Sequence, residues 1–236
     1  MKNVELYDCK SGRCGREGLE GGRQEVIEYK EYAMELETIR QAVRGHEAEL
    51  ILPPHPRFTA VLIPLVEIGG ALHVLFQVRS QSVDQPGEVS FPGGHVEAGE
   101  TAAEAAVREA CEELLLRPEQ VELLAPMHRL ADRGTLIIDS FLGVLHDYEG
   151  SYLSEEVARV FTVPLSFFLE QPPEIYDTRL RFDPPEDFPF ALIPGGRDYP
   201  FFPVPRRMYF YRTEPVIWGL TADLLSHCAD VLREKL

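Results

Sequence analysis

One stretch limits what this chain can become more than any other. Residues 91–116 read FPGGHVEAGETAAEAAVREACEELLL. The glycine pair after Phe91-Pro92 gives a backbone that can turn sharply or be approached closely by a ligand. A run without Gly or Pro follows, rich in alanine, the best helix former. Thr101 is a suitable N-cap, and Glu104 stands at the capping-box spacing. Pro118 stops the helix soon after its end. The pattern predicts a helix from Ala102 to about Leu116. On a helical wheel Ala103, Val107, Ala110 and Leu114, with Ala106 beside them, form the predicted buried stripe. Glu109, Glu112 and Glu113 lie at i, i+3 and i+4 and share another face.

Three carboxylates on one face repel each other and cost the helix roughly a few tenths of a kcal/mol. A divalent cation reverses the sign of that effect. Hard oxygen ligands suit magnesium or manganese rather than zinc. Arg108, four residues after Glu104 and four before Glu112, can hold a carboxylate in one orientation. Taken alone, the three glutamates would read as a solvated acidic face. The spacing around them decides otherwise.

Gly94, five residues, Glu100, seven residues, Arg108-Glu109, two residues and Glu112-Glu113 resemble the Nudix box, the signature of Nudix hydrolases. The box's first apolar slot holds Ala110 here, and its final Gly is Leu115. A non-Gly residue at that helix end costs roughly 1 kcal/mol or ends the helix differently. The resemblance implies an α/β fold, a Nudix-type α/β/α sandwich with a mixed sheet. It implies hydrolysis of a diphosphate linkage by water with Mg2+ or Mn2+. By position in the box, Glu109 and Glu113 are the first metal ligands, Glu112 the third, and Gly94 can add its backbone carbonyl. Glu100 and Arg108 orient the ligand set. The general base lies either within the box or in a later loop, where Glu156 is the candidate; a surface Glu at a helix start reads equally well.

A second resemblance concerns the substrate. Leu75–Ser80, then Gly87–Gly94, are similar to the extra signature of the coenzyme A diphosphatase branch, L-L-T-x-R-S followed by Arg, Gly and F-P-G-G. Further matches lie at Glu156–Leu165 and Ile217–Ala222. Here Gln77 stands in the Thr slot, and Asp84 or a gap in the slot of the second Arg. Arg79 is read as a phosphate ligand or a salt-bridge partner at a strand end. Gly93 and Gly94 bring bare backbone to the substrate. Three readings follow: coenzyme A or acyl-CoA split into 3′,5′-ADP and a phosphopantetheine; another nucleoside diphosphate derivative such as ADP-ribose, which Asp84 favours; or a Nudix-fold binding module without turnover, which Leu115 and the N-terminal extension favour.

The remaining sequence sets bounds. The chain has 236 residues, enough for one good-sized core. Its net charge of −16 argues against nucleic acid as partner, but not against a small phosphate-bearing substrate whose charge a metal offsets. No apolar run reaches the length of a membrane span. The first residues lack the apolar centre of a signal peptide, so cytoplasm is the expected location. Homodimer formation is left open. Cys9 and Cys14 have no second pair to complete a zinc site, and Cys111 and Cys228 are expected as free thiols.

Residues 1–50 are expected as a flexible, Gly-rich tail over 1–24 and a helix from Glu25 to about Arg44, with 51–236 as the Nudix hydrolase domain. Strands are predicted at Phe58–Ile68 and Leu72–Arg79 around a Gly69-Gly70 turn, and at Glu88–Phe91. Two more are expected at Val121–Leu130 and Thr135–His146, around an Asp-Arg-Gly turn, and another at Val160–Val163. A short helix is expected from Pro164. Residues 170–206 read as a Pro- and aromatic-rich excursion with a strand near Glu174–Phe182. A strand at Met208–Tyr211 and a final helix over Trp218–Leu236 complete the chain. Tyr199, Phe201, Phe202, Tyr209 and Tyr211 are read as core and loop packing rather than a base-stacking platform. His73, His95 and His128 are given no role.

Overall fold

The computed structural model describes residues 35–47, 51–52, 54–132 and 135–236. The chain divides between Ile51 and Leu52. The described part before that division holds one helix, α1 (Leu36–Ala42), with no buried residue. Most of the expected tail and helix, with Cys9 and Cys14, lies outside the described residues.

The second unit starts from a hairpin. β1 (Arg57–Ile68) and β2 (Ala71–Arg79) are rich in β-branched and long apolar residues. Gly69 and Gly70 join them with φ of 60° and 83°. That pair of positive angles matches the twist of the flanking strands, and glycine reaches it without steric cost. The two strands pair only near the turn, from Leu65↔Val74 to Ile68↔Ala71. Beyond that they part.

Two short strands fill the fork. β3 (Val89–Ser90) pairs with β2, and β4 (Gly93–His95) pairs with β1. The sequence reading anticipates β3 but takes Gly93-Gly94 as a turn or ligand approach. Those glycines form a strand because the freed edge of β1 offers backbone partners. The Leu62 N–H, for example, donates to the Pro92 carbonyl at 2.9 Å.

β5 (Val121–Asp132) and β6 (Leu136–Leu145) extend the sheet on the far side of β1. Residues 133–134 of the expected turn between them lie outside the described residues. β7 (Val157–Pro164) takes the outer edge of β2. β1 and β6 run parallel and the other pairs antiparallel, so the sheet is mixed. A smaller antiparallel sheet joins β8 (Glu174–Leu180), β9 (Val204–Tyr211) and β10 (Ile217–Trp218).

Helices cover both faces of the large sheet. α2 (Ala102–Leu114) packs its Ala110 and Leu114 on Leu62, Val66 and Leu75, and its Ala105 and Ala106 on Ala60. α3 (Leu165–Glu170) and α4 (Gly219–Lys235) bury Phe168, Leu224, Leu225 and Cys228 against Ile63, Leu65, Val74 and Phe76. Fully buried side chains such as Phe76 and Phe168 each contribute about 1.5–3 kcal/mol relative to exposure. The result is the α/β/α sandwich expected from the sequence. The aromatic-rich excursion packs on itself, with Phe182 and Phe201 stacked at 4.2 Å, while Tyr211 meets Phe168 edge-on at 5.0 Å in the core. Among the described residues no helix is long and apolar enough to cross a membrane, and Cys111 and Cys228 are free.

The wheel for α2 needs one correction. Ala103 and Val107 are only half-buried, and with Cys111, Pro118 and Leu123 they line a surface depression. The buried line is Ala105, Ala106, Ala110, Glu113 and Leu114. The sheet has taken the side of the helix that carries a carboxylate, which a wheel scoring Glu as outward cannot anticipate.

Candidate active site

The site forms where the fork in the sheet meets α2. Thr101 and Glu104 cap the helix reciprocally as a capping box. At its other end Leu115 adopts the left-handed conformation with φ of 53°, and the Leu116 N–H donates to the Cys111 carbonyl at 2.9 Å. The helix thus closes as a glycine would close it, at a cost of about 1 kcal/mol. Between these ends Arg108, Glu109 and Glu113 reach the strand β4.

Arg108 is the hub. Its guanidinium donates to both oxygens of Glu100 at 2.7 and 3.2 Å, to Glu109 at 2.9 Å, to Glu112 at 3.4 Å and to the His95 carbonyl at 3.0 Å. The bonds from Arg108 hold the Glu100 carboxyl below its ordinary range, and those to Glu100 raise Arg108 well above its own. Such forked, charge-assisted bonds fix direction as well as energy. Arg108 therefore ties the loop before the helix to the carboxylates on it.

Glu113 is 5% exposed. Its Oε2 accepts from Gln77 Nε2 at 2.9 Å and from the Gly93 N–H at 3.0 Å. Among the described residues nothing bonds to its Oε1. Burial pushes the Glu113 carboxyl up to about 7, against the opposing pull of those two donors, with Glu109 and Glu156 adding repulsion. Glu109 is also raised, first by burial and then by the charges of Glu112 and Glu156, while Arg108 lowers it. Glu156 therefore lies within the electrostatic reach of both carboxyls. Its backbone is anchored there, because its carbonyl accepts from the Ser80 N–H at 2.8 Å.

Glu112 differs from the other two. Its side chain is 59% exposed and it reaches back to Arg108. Among the described residues no three His, Cys, Asp or Glu side chains are gathered tightly enough to make a ready-formed cation cage. Glu109 and Glu113 lie beside Gly94 and Gly93, while Glu112 stands apart from them. Packing against the sheet turns Glu113 inward and leaves Glu112 at the rim.

The residues do fit a cation that takes one or two carboxylates and completes its shell with water and phosphate oxygens, as magnesium does. The donors are hard oxygens. Glu113 has an oxygen that bonds to none of the described residues. A Cβ added to Gly94 would fall 2.3 Å from Glu109 Oε1, so the bare backbone keeps the space before that carboxylate clear.

A cleft of about 680 Å3 opens on the other side of the same two glycines. Gly93 and Gly94 line it together with Arg79, Asp84, Arg206 and Trp218. Arg79 donates its Nε to the Asp84 carbonyl at 2.7 Å. It also sits in register with Val157, next in the chain to Glu156. The cleft shares Gly93 and Gly94 with the carboxylate site, while Glu109, Glu112, Glu113 and Glu156 are not among its lining residues. Arg206 is paired with the buried Asp132. Sequence reasoning missed Asp132 and Arg206, which share no motif and meet across 74 positions. It noted Gln77 as a departure without giving it a task; a polar residue at an inward-facing strand position was the available signal.

Fold and site together define a class: an α/β/α sandwich in which a glycine-bared loop feeds a capped helix bearing buried carboxylates. The comparisons agree. The NUDIX domain profile matches residues 56–191. Nudix hydrolase 3 of Caenorhabditis elegans is 35% identical over 195 residues, covering 75% of this chain and 78% of that protein. The uncharacterized Nudix hydrolase NudL of Enterobacter sp. is 31% identical over 175 residues, 73% of this chain and 81% of that one. The peroxisomal coenzyme A diphosphatase NUDT7 of Mus musculus is 38% identical over 122 residues, half of this chain and half of that protein's length. The chain belongs to the Nudix hydrolase family.

Proposed function

We propose that this protein hydrolyses the diphosphate linkage of a nucleoside diphosphate derivative, and that the substrate is coenzyme A or an acyl-CoA, giving 3′,5′-ADP and a phosphopantetheine. The observation that carries the reaction is the pair Glu109 and Glu113, set beside the bare backbone of Gly94 and Gly93. Two carboxylates of one helix, both raised by burial, make a site prepared for positive charge. Mg2+ or Mn2+ held by Glu109 and Glu113, with Glu112 at the rim and the Gly94 carbonyl as a further donor, would neutralise phosphate charge and acidify a bound water.

The chain's own residues supply the rest. Arg108 and Glu100 hold Glu109 in orientation. Glu156 accepts the proton of the attacking water as general base. Arg79, on the cleft wall, binds a substrate phosphate, and the backbone of Gly93 and Gly94 lets the diphosphate lie close. The coenzyme A reading is supported by the likeness to the mouse diphosphatase and by the Arg79 and box-loop segments.

ADP-ribose is the alternative, favoured by Asp84, which lines the cleft and whose carbonyl occupies Arg79 Nε. A panel of diphosphates ranked by kcat/KM, with products separated by chromatography, tests both. Cleavage of ADP-ribose without cleavage of coenzyme A would replace the substrate and keep the chemistry. A cytoplasmic location belongs to the same proposal.

A further inference from the structure

Gln77 lies on β2, in a stretch whose neighbours Leu75, Phe76 and Val78 are buried and apolar, and is itself 1% exposed. Its Nε2 donates to Glu113 Oε2 at 2.9 Å. Among the described residues its Oε1 is buried without a hydrogen-bond partner. A buried amide with one end unsatisfied is costly relative to an apolar residue of the same size. Stability alone therefore argues against Gln at this position, and a task on Glu113 is what remains.

The geometry identifies that task. Glu113 has two oxygens, and both protein donors fall on the same one: Gln77 Nε2 at 2.9 Å and the Gly93 N–H at 3.0 Å. The donors come from two different strands, β2 and β4, so the carboxylate plane is set by both sides of the fork. Oε2 is saturated as an acceptor, and among the described residues Oε1 accepts no hydrogen bond.

We propose that Gln77 is a positioning residue that, with the Gly93 N–H, clamps Glu113 by Oε2 so that Oε1 is presented to a divalent cation. This rests on the reading of Glu113 as a metal ligand. Partners that orient a ligand in this way are each worth about 10- to 100-fold in metal affinity. The unsatisfied Oε1 of Gln77 is the consequence of pointing the NH2 end of the amide at the carboxylate.

The test uses Mn2+ binding to the full chain, followed by electron paramagnetic resonance without substrate. Gln77→Met keeps the volume and removes the amide. Gln77→Asn keeps the amide but withdraws it by one methylene, and it decides the question if the Met variant does not fold. Each is expected to weaken Mn2+ binding about tenfold or more while circular dichroism stays that of the wild type. In a Glu113→Gln background the same substitutions are expected to have no further effect, because Gln77 acts only through Glu113. Wild-type Mn2+ affinity in a folded Gln77 variant, or an equal loss in the Glu113→Gln background, overturns the proposal. Wild-type affinity in Glu113→Gln alone overturns the ligand reading and this proposal with it.

Discussion

The two glycines of the box loop are neighbours in sequence but are predicted to fail in opposite ways when given a methyl group. A Cβ on Gly93 would lie 2.3 Å from the Ala60 carbonyl oxygen and 2.7 Å from Val61 Cα. Both belong to β1, in the middle of the sheet, and neither can retreat. Gly93→Ala must therefore loosen the β1–β4 pairing and the Leu62–Pro92 hydrogen bond. Overpacking costs about 1–3 kcal/mol and each weakened backbone bond about 1 kcal/mol, together about 2–4 kcal/mol. With a urea slope of about 2 kcal/mol/M the unfolding midpoint falls by about 1–2 M.

The three atoms nearest a Cβ on Gly94 all belong to the carboxylate of Glu109, at 2.3–2.7 Å. That side-chain end can swing aside, so Gly94→Ala should cost less than about 1 kcal/mol of stability. It also displaces the carboxylate by an ångström or more, and misplacement on that scale costs about 100-fold in rate. Urea unfolding and Mg2+-dependent turnover of the two variants decide the matter. A common unfolding midpoint, or a Gly94→Ala enzyme within about threefold of wild type, would refute the reasoning.

Further outcomes are expected from the same geometry. Glu113 has its folded pKa raised to about 7 from 4.5, so its contribution to metal-free stability is present below pH 4.5 and is lost as pH rises through 7. Relative to Glu113→Gln, the wild type should lose about 2.5 kcal/mol between pH 5 and pH 8, measured by urea unfolding with chelator present; a flat difference contradicts the burial argument. Because binding a cation requires the ionised form, Mn2+ affinity should rise over the same range. Arg108→Lys cannot reproduce the fork on Glu100 and should lower kcat/KM about 10- to 100-fold, with a KM for coenzyme A that changes little. Thr101→Ala removes half of an exposed capping box and should lower stability by about 1 kcal/mol without altering turnover at 25 °C.

Local signals in the sequence carried most of the architecture. The capping box, the glycine turn between β1 and β2 and the alternating strands all follow from neighbours within a few residues, and they appear where that chemistry puts them. The fork does not follow in this way. β4 has no side-chain signature, because two of its three residues are glycines, and it becomes a strand only by pairing with β1 across more than thirty positions. The helix wheel correctly grouped Glu109, Glu112 and Glu113. It could not tell that the sheet would bury Glu113 and leave Glu112 at the rim, since that choice is made by tertiary packing. Gln77 shows the same limit: its partner is 36 residues away, and only the fold makes them touch.

The account stands or falls on metal-assisted hydrolysis of a phosphoanhydride at these carboxylates. Phosphorus NMR of coenzyme A mixed with the protein follows that bond directly. With Mg2+ or Mn2+ the two diphosphate resonances should decay as two phosphomonoester resonances grow, and nothing should change with chelator or with Glu109→Gln. Diphosphate signals that persist with either metal, for coenzyme A and for ADP-ribose alike, would contradict it.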